Sequence, residues 1–206
     1  MKKTSLLFLG ITAIVSFAFI NPSVTEPKTF TIVIDAGHGG SDFGATFNGT
    51  SEKVIVSQIA EKIKSLNENK NITILLTRNS DEFITLEKRT EFINSIKPDL
   101  VLSLHINANS NNEKSGLESY VSDKSPFYEK SNAIANQLNA SLANNNSLKV
   151  SKTKLAPFHI LKKSEAPTVL VELGYLTNAK DRKYLTDEKE QAAIAKNINS
   201  FLSDLK

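Results

Sequence analysis

The chain has 206 residues, 40% of them hydrophobic, enough for one compact domain with a single core and too few for two large ones. It contains no cysteine, which excludes disulfides and thiolate metal sites, so any metal here must be held by imidazole and carboxylate. The formal net charge is +3; without Lys2 and Lys3 the 25 basic residues become 23 against 22 acidic ones, and a net of +1 gives no electrostatic case for nucleic acid.

Lys2 and Lys3 precede an uncharged run over residues 5–20, the pattern of a secretory signal. Its 16 residues are short for a membrane span, which needs roughly 20. Ser16-Phe17-Ala18 offers small residues at the two positions a signal peptidase reads. The expectation is a signal peptide over residues 1–18, with an uncleaved anchor as the alternative, then a Pro-containing linker over 19–28 and one domain over 29–206. The mature protein is then periplasmic or extracellular, with no membrane contact after cleavage.

Along the domain, strand-like and helix-like patterns alternate without an internal repeat. Residues 29–35 read as a strand. From Ser51, a plausible N-cap, Val54, Ile55, Ile59, Ile63 and Leu66 recur near helical spacing, and that helix ends in the Asn-rich stretch 67–71. Residues 72–77 form a second strand. Leu86, Phe92, Ile93 and Ile96 mark one face of a helix closed by Lys97-Pro98, which feeds a strand over 99–104. Strands are expected at 117–121, 158–161 and 168–171, and helices at 128–142 and 188–205. Residues 107–115 and 143–149 read as polar loops. This alternation predicts an α/β fold: a single twisted, mostly parallel sheet with helices on both faces.

Three segments place metal-binding and acid–base side chains at the C-terminal ends of strands, where open α/β sheets build their sites. They are Asp35-Ala-Gly-His38-Gly-Gly, Ser103-Leu-His105-Ile-Asn107 and Val171-Glu172-Leu-Gly-Tyr. A dinucleotide loop would need glycine at 42, where Asp42 stands, with a helix opening there; residues 40–49 read instead as loop. Glycines beside His38 make better sense as clearance for close approach.

A hydrolytic zinc site needs three protein ligands, an open position for water and a carboxylate to take the water's proton. His38 and His105 supply two ligands. The third is a carboxylate at the same edge: Glu52, with Asp42 and Asp35 as rivals. Glu172 directly follows a buried strand, where an acid is costly unless used or paired, and is the candidate general base. Each also has a bland reading: histidine as a hydrogen-bonded structural residue, Glu52 as a first-turn helix carboxylate, Glu172 as a salt-bridge partner. His159 reads as structural or substrate-facing.

Together the segments resemble the zinc-dependent N-acetylmuramoyl-L-alanine amidases, a family of cell-wall hydrolases. The matching stretches are Ile32-Val-Ile-Asp-Ala-Gly-His-Gly-Gly40 with Gly44, Glu52-Lys53, Leu76-Thr-Arg78, Leu86 through Arg89, Ser103-Leu-His-Ile-Asn-Ala108 and Val169-Leu-Val-Glu-Leu-Gly-Tyr-Leu-Thr-Asn178. The resemblance implies that His38, Glu52 and His105 bind Zn²⁺, that Glu172 is the catalytic carboxylate, and that peptidoglycan is the substrate. The alternatives are a non-catalytic peptidoglycan-binding or regulatory protein of the same fold, and an exported zinc peptidase or deacetylase. One departure is Ser151-Lys-Thr-Lys154, where relatives carry an Arg-Gly-Val-Lys-like sequence and only Lys154 matches. The 67 residues from His105 to Glu172 leave little room for an autoinhibitory helix, so an activator protein is possible but not required.

Overall fold

The computed structural model describes residues 29–145 and 148–205; the signal peptide and linker expected over 1–28 lie outside them. In β1 (Phe30–Ala36), Ile32, Ile34 and Ala36 face one layer and Val33 the other, the two-residue period of a strand. β1 lies between β4 (Ile72–Leu76) and β5 (Leu100–Asn107), and β5 is followed by β8 (Thr168–Tyr175), all four parallel. Their near-continuous apolar runs suit strands covered on both faces. β6 (Glu118–Val121) joins β8 antiparallel, and the two-residue β7 (Lys154–Leu155) pairs parallel with β6 at the edge. The expectation of a mostly parallel α/β sheet therefore holds, with β6 and β7 at one edge running opposite to the other four strands.

One layer packs α1 (Glu52–Ser65), α3 (Tyr128–Asn145) and α6 (Glu188–Asp204) on the sheet, against Ile32, Leu102, Leu104 and Val171. α1 turns Ile55, Val56, Ile59, Ala60 and Ile63 inward, three and four residues apart, as an amphipathic helix must. Ser51 stands at its N-cap with extended backbone, but its side chain makes no cap bond. The opposite face carries the shorter α2 (Leu86–Ile96) and α4 (His159–Lys163), packed on Val33, Val101 and Leu170. The Thr85 hydroxyl caps α2 by accepting from Lys88 N at 3.3 Å, and Lys97, left-handed at φ 53°, ends it before Pro98.

Three local expectations are corrected. Residues 158–161 are not a strand: Phe158 caps the start of α4, and the adjacent Ile160 and Leu161 are both buried in one cluster, which neighbouring positions of a strand face cannot achieve. The loop over 40–49 contains β2 (Thr46–Phe47), paired antiparallel with β3 (Thr50–Ser51). α5 (Ala179–Thr186) was not expected; the Asn178 side chain caps it by accepting from Lys180 N and Asp181 N. No helix among the described residues is long and apolar enough to cross a membrane.

Candidate active site

The strand period sets the site. Asp35, Ser103, His105 and Glu172 alternate into phase with Val33, Val101 and Leu170, so all four belong to the α2/α4 face. Register places Asp35 beside Ser103 and His105 beside Glu172. β5 and β8 both run further than their apolar patterns suggested, so His105 and Glu172 lie inside strands. The face opens into a cavity of about 450 Å³ whose lining includes Leu170, His38, Asp42, His105 and Glu172.

Glu52, first residue of α1, is 3% exposed and ties the two histidines together. Its Oε1 lies 2.9 Å from His105 Nδ1 and 3.1 Å from His38 Nε2, and also accepts the Ile106 amide at 2.9 Å; Oε2 accepts from Ala45 N at 2.8 Å. One ligand-type atom from each of the three residues lies within 4.8 Å of the others. The second ring nitrogen of His38 meets Asp42 Oδ2 at 2.8 Å, and Asp42 Oδ1 accepts from Gly44 N at 3.0 Å. A carboxylate on Nδ1 fixes the ring and turns Nε2 toward Glu52, the usual arrangement around metal-binding imidazoles. The glycines give clearance: a Cβ at Gly37 would collide with the His105 ring, and one at Gly44 with Glu52 Oε2 and the His38 ring.

Burial pushes the Glu52 carboxyl up, but His105 and His38 outweigh it and hold the group well below the usual carboxylate range. Burial likewise pulls the His38 imidazole down, yet Glu52 and Asp42 bring it up to about 9. Both shifts describe a cationic ring pressed against anionic oxygen. A metal cation would take over the proton's role. Two imidazole nitrogens and one carboxylate, with no thiolate, fit the three-ligand, open-position chemistry of a hydrolytic zinc site.

The rival carboxylates stand elsewhere. Asp42 serves the far nitrogen of His38. Asp35, 2% exposed, is saturated by Thr77 Oγ1 at 2.7 Å, Ser103 Oγ at 2.8 Å and Arg89 Nη1 at 2.7 Å. Burial raises its carboxyl, but Arg89, Thr77 and His105 prevail and hold it below the ordinary value.

Sequence reasoning gave no role to two buried arginines that set the turn carrying His38. Arg78 donates to the carbonyls of Ala36 at 3.0 Å and Gly37 at 3.1 Å; Arg89 donates to Ala36 O at 2.8 Å and to His38 O. Three successive carbonyls are thereby gripped by two guanidinium groups, which keeps His38 at φ 60°, a left-handed conformation uncommon for a non-glycine residue. The stretches Leu76-Thr-Arg78 and Leu86 through Arg89 held the only hint.

Among the carboxylates that line the cavity, Glu172 alone has a buried oxygen, Oε2, without a hydrogen-bond partner. Burial pushes its carboxyl up to about 7, with His105 opposing and Glu52 and Glu118 assisting. A structural salt bridge would show a satisfied oxygen. Glu118, its register neighbour on β6, shows that contrast, accepting from Lys154 Nζ at 2.7 Å, Tyr120 OH at 2.6 Å and Tyr175 OH at 3.0 Å. The 151–154 stretch thus contributes Lys154 to the strand pair behind Glu172. His159 stays outside the His–Glu–His group; it lines the cavity, with Nε2 3.5 Å from Thr90 Oγ1.

A family model described as N-acetylmuramoyl-L-alanine amidase matches residues 32–204, nearly the whole described domain. The chain belongs to that family. Among the chain's relatives, LytC of Bacillus subtilis, an N-acetylmuramoyl-L-alanine amidase, is 34% identical over 94% of the chain and 39% of its own length. LytH of Staphylococcus saprophyticus, a probable cell wall amidase, is 32% identical over 89% of the chain and 62% of its own length. The chain therefore spans less than two thirds of either relative. The catalytic domain of the amidase CwlV from Bacillus (Paenibacillus) polymyxa var. colistinus superposes with a TM-score of 0.79 at 31% identity, covering 85% of the chain and 97% of that domain.

Proposed function

We propose that the chain is an exported, zinc-dependent amidase that hydrolyses the bond between the lactyl group of N-acetylmuramic acid and L-alanine in peptidoglycan. The observation that carries this reading is Glu172, whose Oε2 is buried without a partner, on the strand beside the His38–Glu52–His105 group. Zinc bound by those three residues would polarise the scissile carbonyl and lower the pKa of a water. Glu172, raised to about 7, takes the proton as the water oxygen bonds to the carbonyl carbon. As the carbon–nitrogen bond breaks, Glu172 returns that proton to the departing alanine nitrogen. Asp42 orients His38, and the Ile106 and Ala45 amides fix Glu52. Residues 1–18 are the export signal and 19–28 the linker in this reading.

A non-catalytic peptidoglycan binder of the same fold would have no use for an unsatisfied buried acid beside a clustered His–Glu–His group. Product analysis separates the readings when purified protein is incubated with sacculi: new alanine amino termini support the amidase, released acetate indicates a deacetylase, and binding without products indicates a binding module. The His38 and His105 side chains are 23% and 21% exposed, so solvent reaches both. Activity on sacculi is accordingly expected without an activator protein. An inactive intact domain that gains at least about tenfold on deletion within 107–115 or 143–149, a barrier change of roughly 1.4 kcal/mol, would make those loops a plug. Metal analysis is expected to find about one zinc per chain, with His38→Ala and His105→Ala each losing most of it; full occupancy in either variant removes that residue from the ligand set.

A further inference from the structure

The cavity that Glu172 lines also has an apolar wall, for which hydrolysis of an amide has no direct use. Phe83 and Leu86, before and at the start of α2, are 55% and 54% exposed, and Phe158, at the cap of α4, is 41% exposed. Ile84, Ile160 and Leu170 add to the apolar lining. The Phe158 ring packs edge-on against Tyr120 with centroids 5.6 Å apart, so its platform is braced from behind. Three large apolar side chains open to water around one cleft mark a surface that a ligand covers.

The charges around this wall select the ligand. Among the described residues no lysine lines the cavity, and its one arginine, Arg89, is committed to Asp35 and to the carbonyls of Ala36 and His38. The remaining ionisable groups lining it are the histidines, including His159 beside Thr90, and the carboxylates Asp42, Asp35 and Glu172. A stem peptide carries ionised carboxylates, for which the Phe83, Leu86 and Phe158 side chains of the wall supply no charged partner. The sugar side has no charge while its lactyl carboxyl is tied up in the amide. It offers apolar C–H faces, an acetyl methyl and a lactyl methyl, which aromatic and aliphatic surface can bury.

We propose that the Phe83–Leu86–Phe158 wall is the subsite for the uncharged N-acetylmuramyl side of the substrate, so that the stem peptide leaves the cleft away from it. The subsite rests on the amidase reading for its choice of ligand. Its test is a binding measurement independent of turnover. N-acetylmuramyl methylamide, with the sugar but no peptide, and D-lactyl-L-alanyl-D-isoglutamine, with the peptide but no sugar ring, are each titrated into the zinc-loaded protein while backbone amide resonances are followed.

The sugar ligand is expected to shift residues 83–86 and 158–160. Phe83→Ala and Leu86→Ser should each weaken its binding by about tenfold, Phe83→Tyr should retain it, and affinity for the lactyl peptide should not change. Phe83 and Leu86 are more than half exposed, so their truncation leaves the core and the melting temperature alone. Wall resonances moved by the lactyl peptide, or by neither ligand, overturn the proposal. Release of alanine amino termini from sacculi by the same preparation reports the amidase reading separately: sugar binding at the wall without release supports the subsite and faults turnover, and release without sugar binding does the reverse.

Discussion

Glu172→Gln is expected to lower turnover of sacculi by about 10²-fold or more, the usual contribution of an acid–base group, while leaving zinc content and fold intact. The amide keeps the size of the side chain. Because Glu172 Oε2 has no partner to lose, the substitution breaks no hydrogen bond at that atom. It should also alter stability against pH in the metal-free protein, and the sign is opposite to that of a salt-bridged acid. The carboxyl stands at about 7 when folded against an ordinary value of 4.5, so the folded state holds its proton more tightly. That contribution is fully present below 4.5 and is lost as pH rises through about 7; the glutamine variant lacks the slope. Turnover near wild type assigns the proton transfer to another residue, and loss of zinc makes Glu172 a ligand.

The second large effect is expected at Arg89→Met. Arg89 and Asp35 are 3% and 2% exposed and 2.7 Å apart, so removing the guanidinium leaves a carboxylate buried without its counter-ion. Breaking a buried pair from one side costs about 3–5 kcal/mol, which lowers the melting temperature by on the order of 10 °C in a domain of this size. Asp35 has a depressed folded pKa, so its contribution is present above the ordinary value of 3.8 and is lost as pH falls through the lower folded value. Replacing both residues together, Asp35→Leu with Arg89→Met, should recover part of the loss, since no unpaired charge then remains. Zinc affinity should fall in the single variant as well, because the same guanidinium holds the His38 carbonyl. A stability change under about 1 kcal/mol would remove the pair from the list of interactions that hold the turn.

Much of this architecture was legible because periodicity is a property of residues near one another. The runs at β1, β5 and β8 gave three strand ends, and those ends carried His38, His105 and Glu172 or led directly into them. What spacing could not do was choose among Glu52, Asp42 and Asp35. That choice depends on the path of residues 39–51, where left-handed Gly39, Gly40, Gly44, Asn48 and Gly49 fold the chain back so that the start of α1 reaches both imidazoles. The roles of Arg78 and Arg89 were hidden for a related reason: their partners are backbone carbonyls, which no residue pattern advertises. The error at α4 arose because four residues cannot separate an extended segment from a single helical turn.

The two-residue β7 has a consequence for association between molecules. Exposed strand rims recruit further strands, and proteins blunt them with short segments and lysines. β7 offers only Lys154 and Leu155, with Lys152 just before it, so this rim cannot template an added chain of useful length. The other rim, β4, is five residues long and alternates buried Ile72, Ile74 and Leu76 with exposed Thr73 and half-buried Leu75. Any strand-added oligomer or aggregate of this protein would therefore grow from β4, across the sheet from the Glu118–Lys154 pair that backs Glu172.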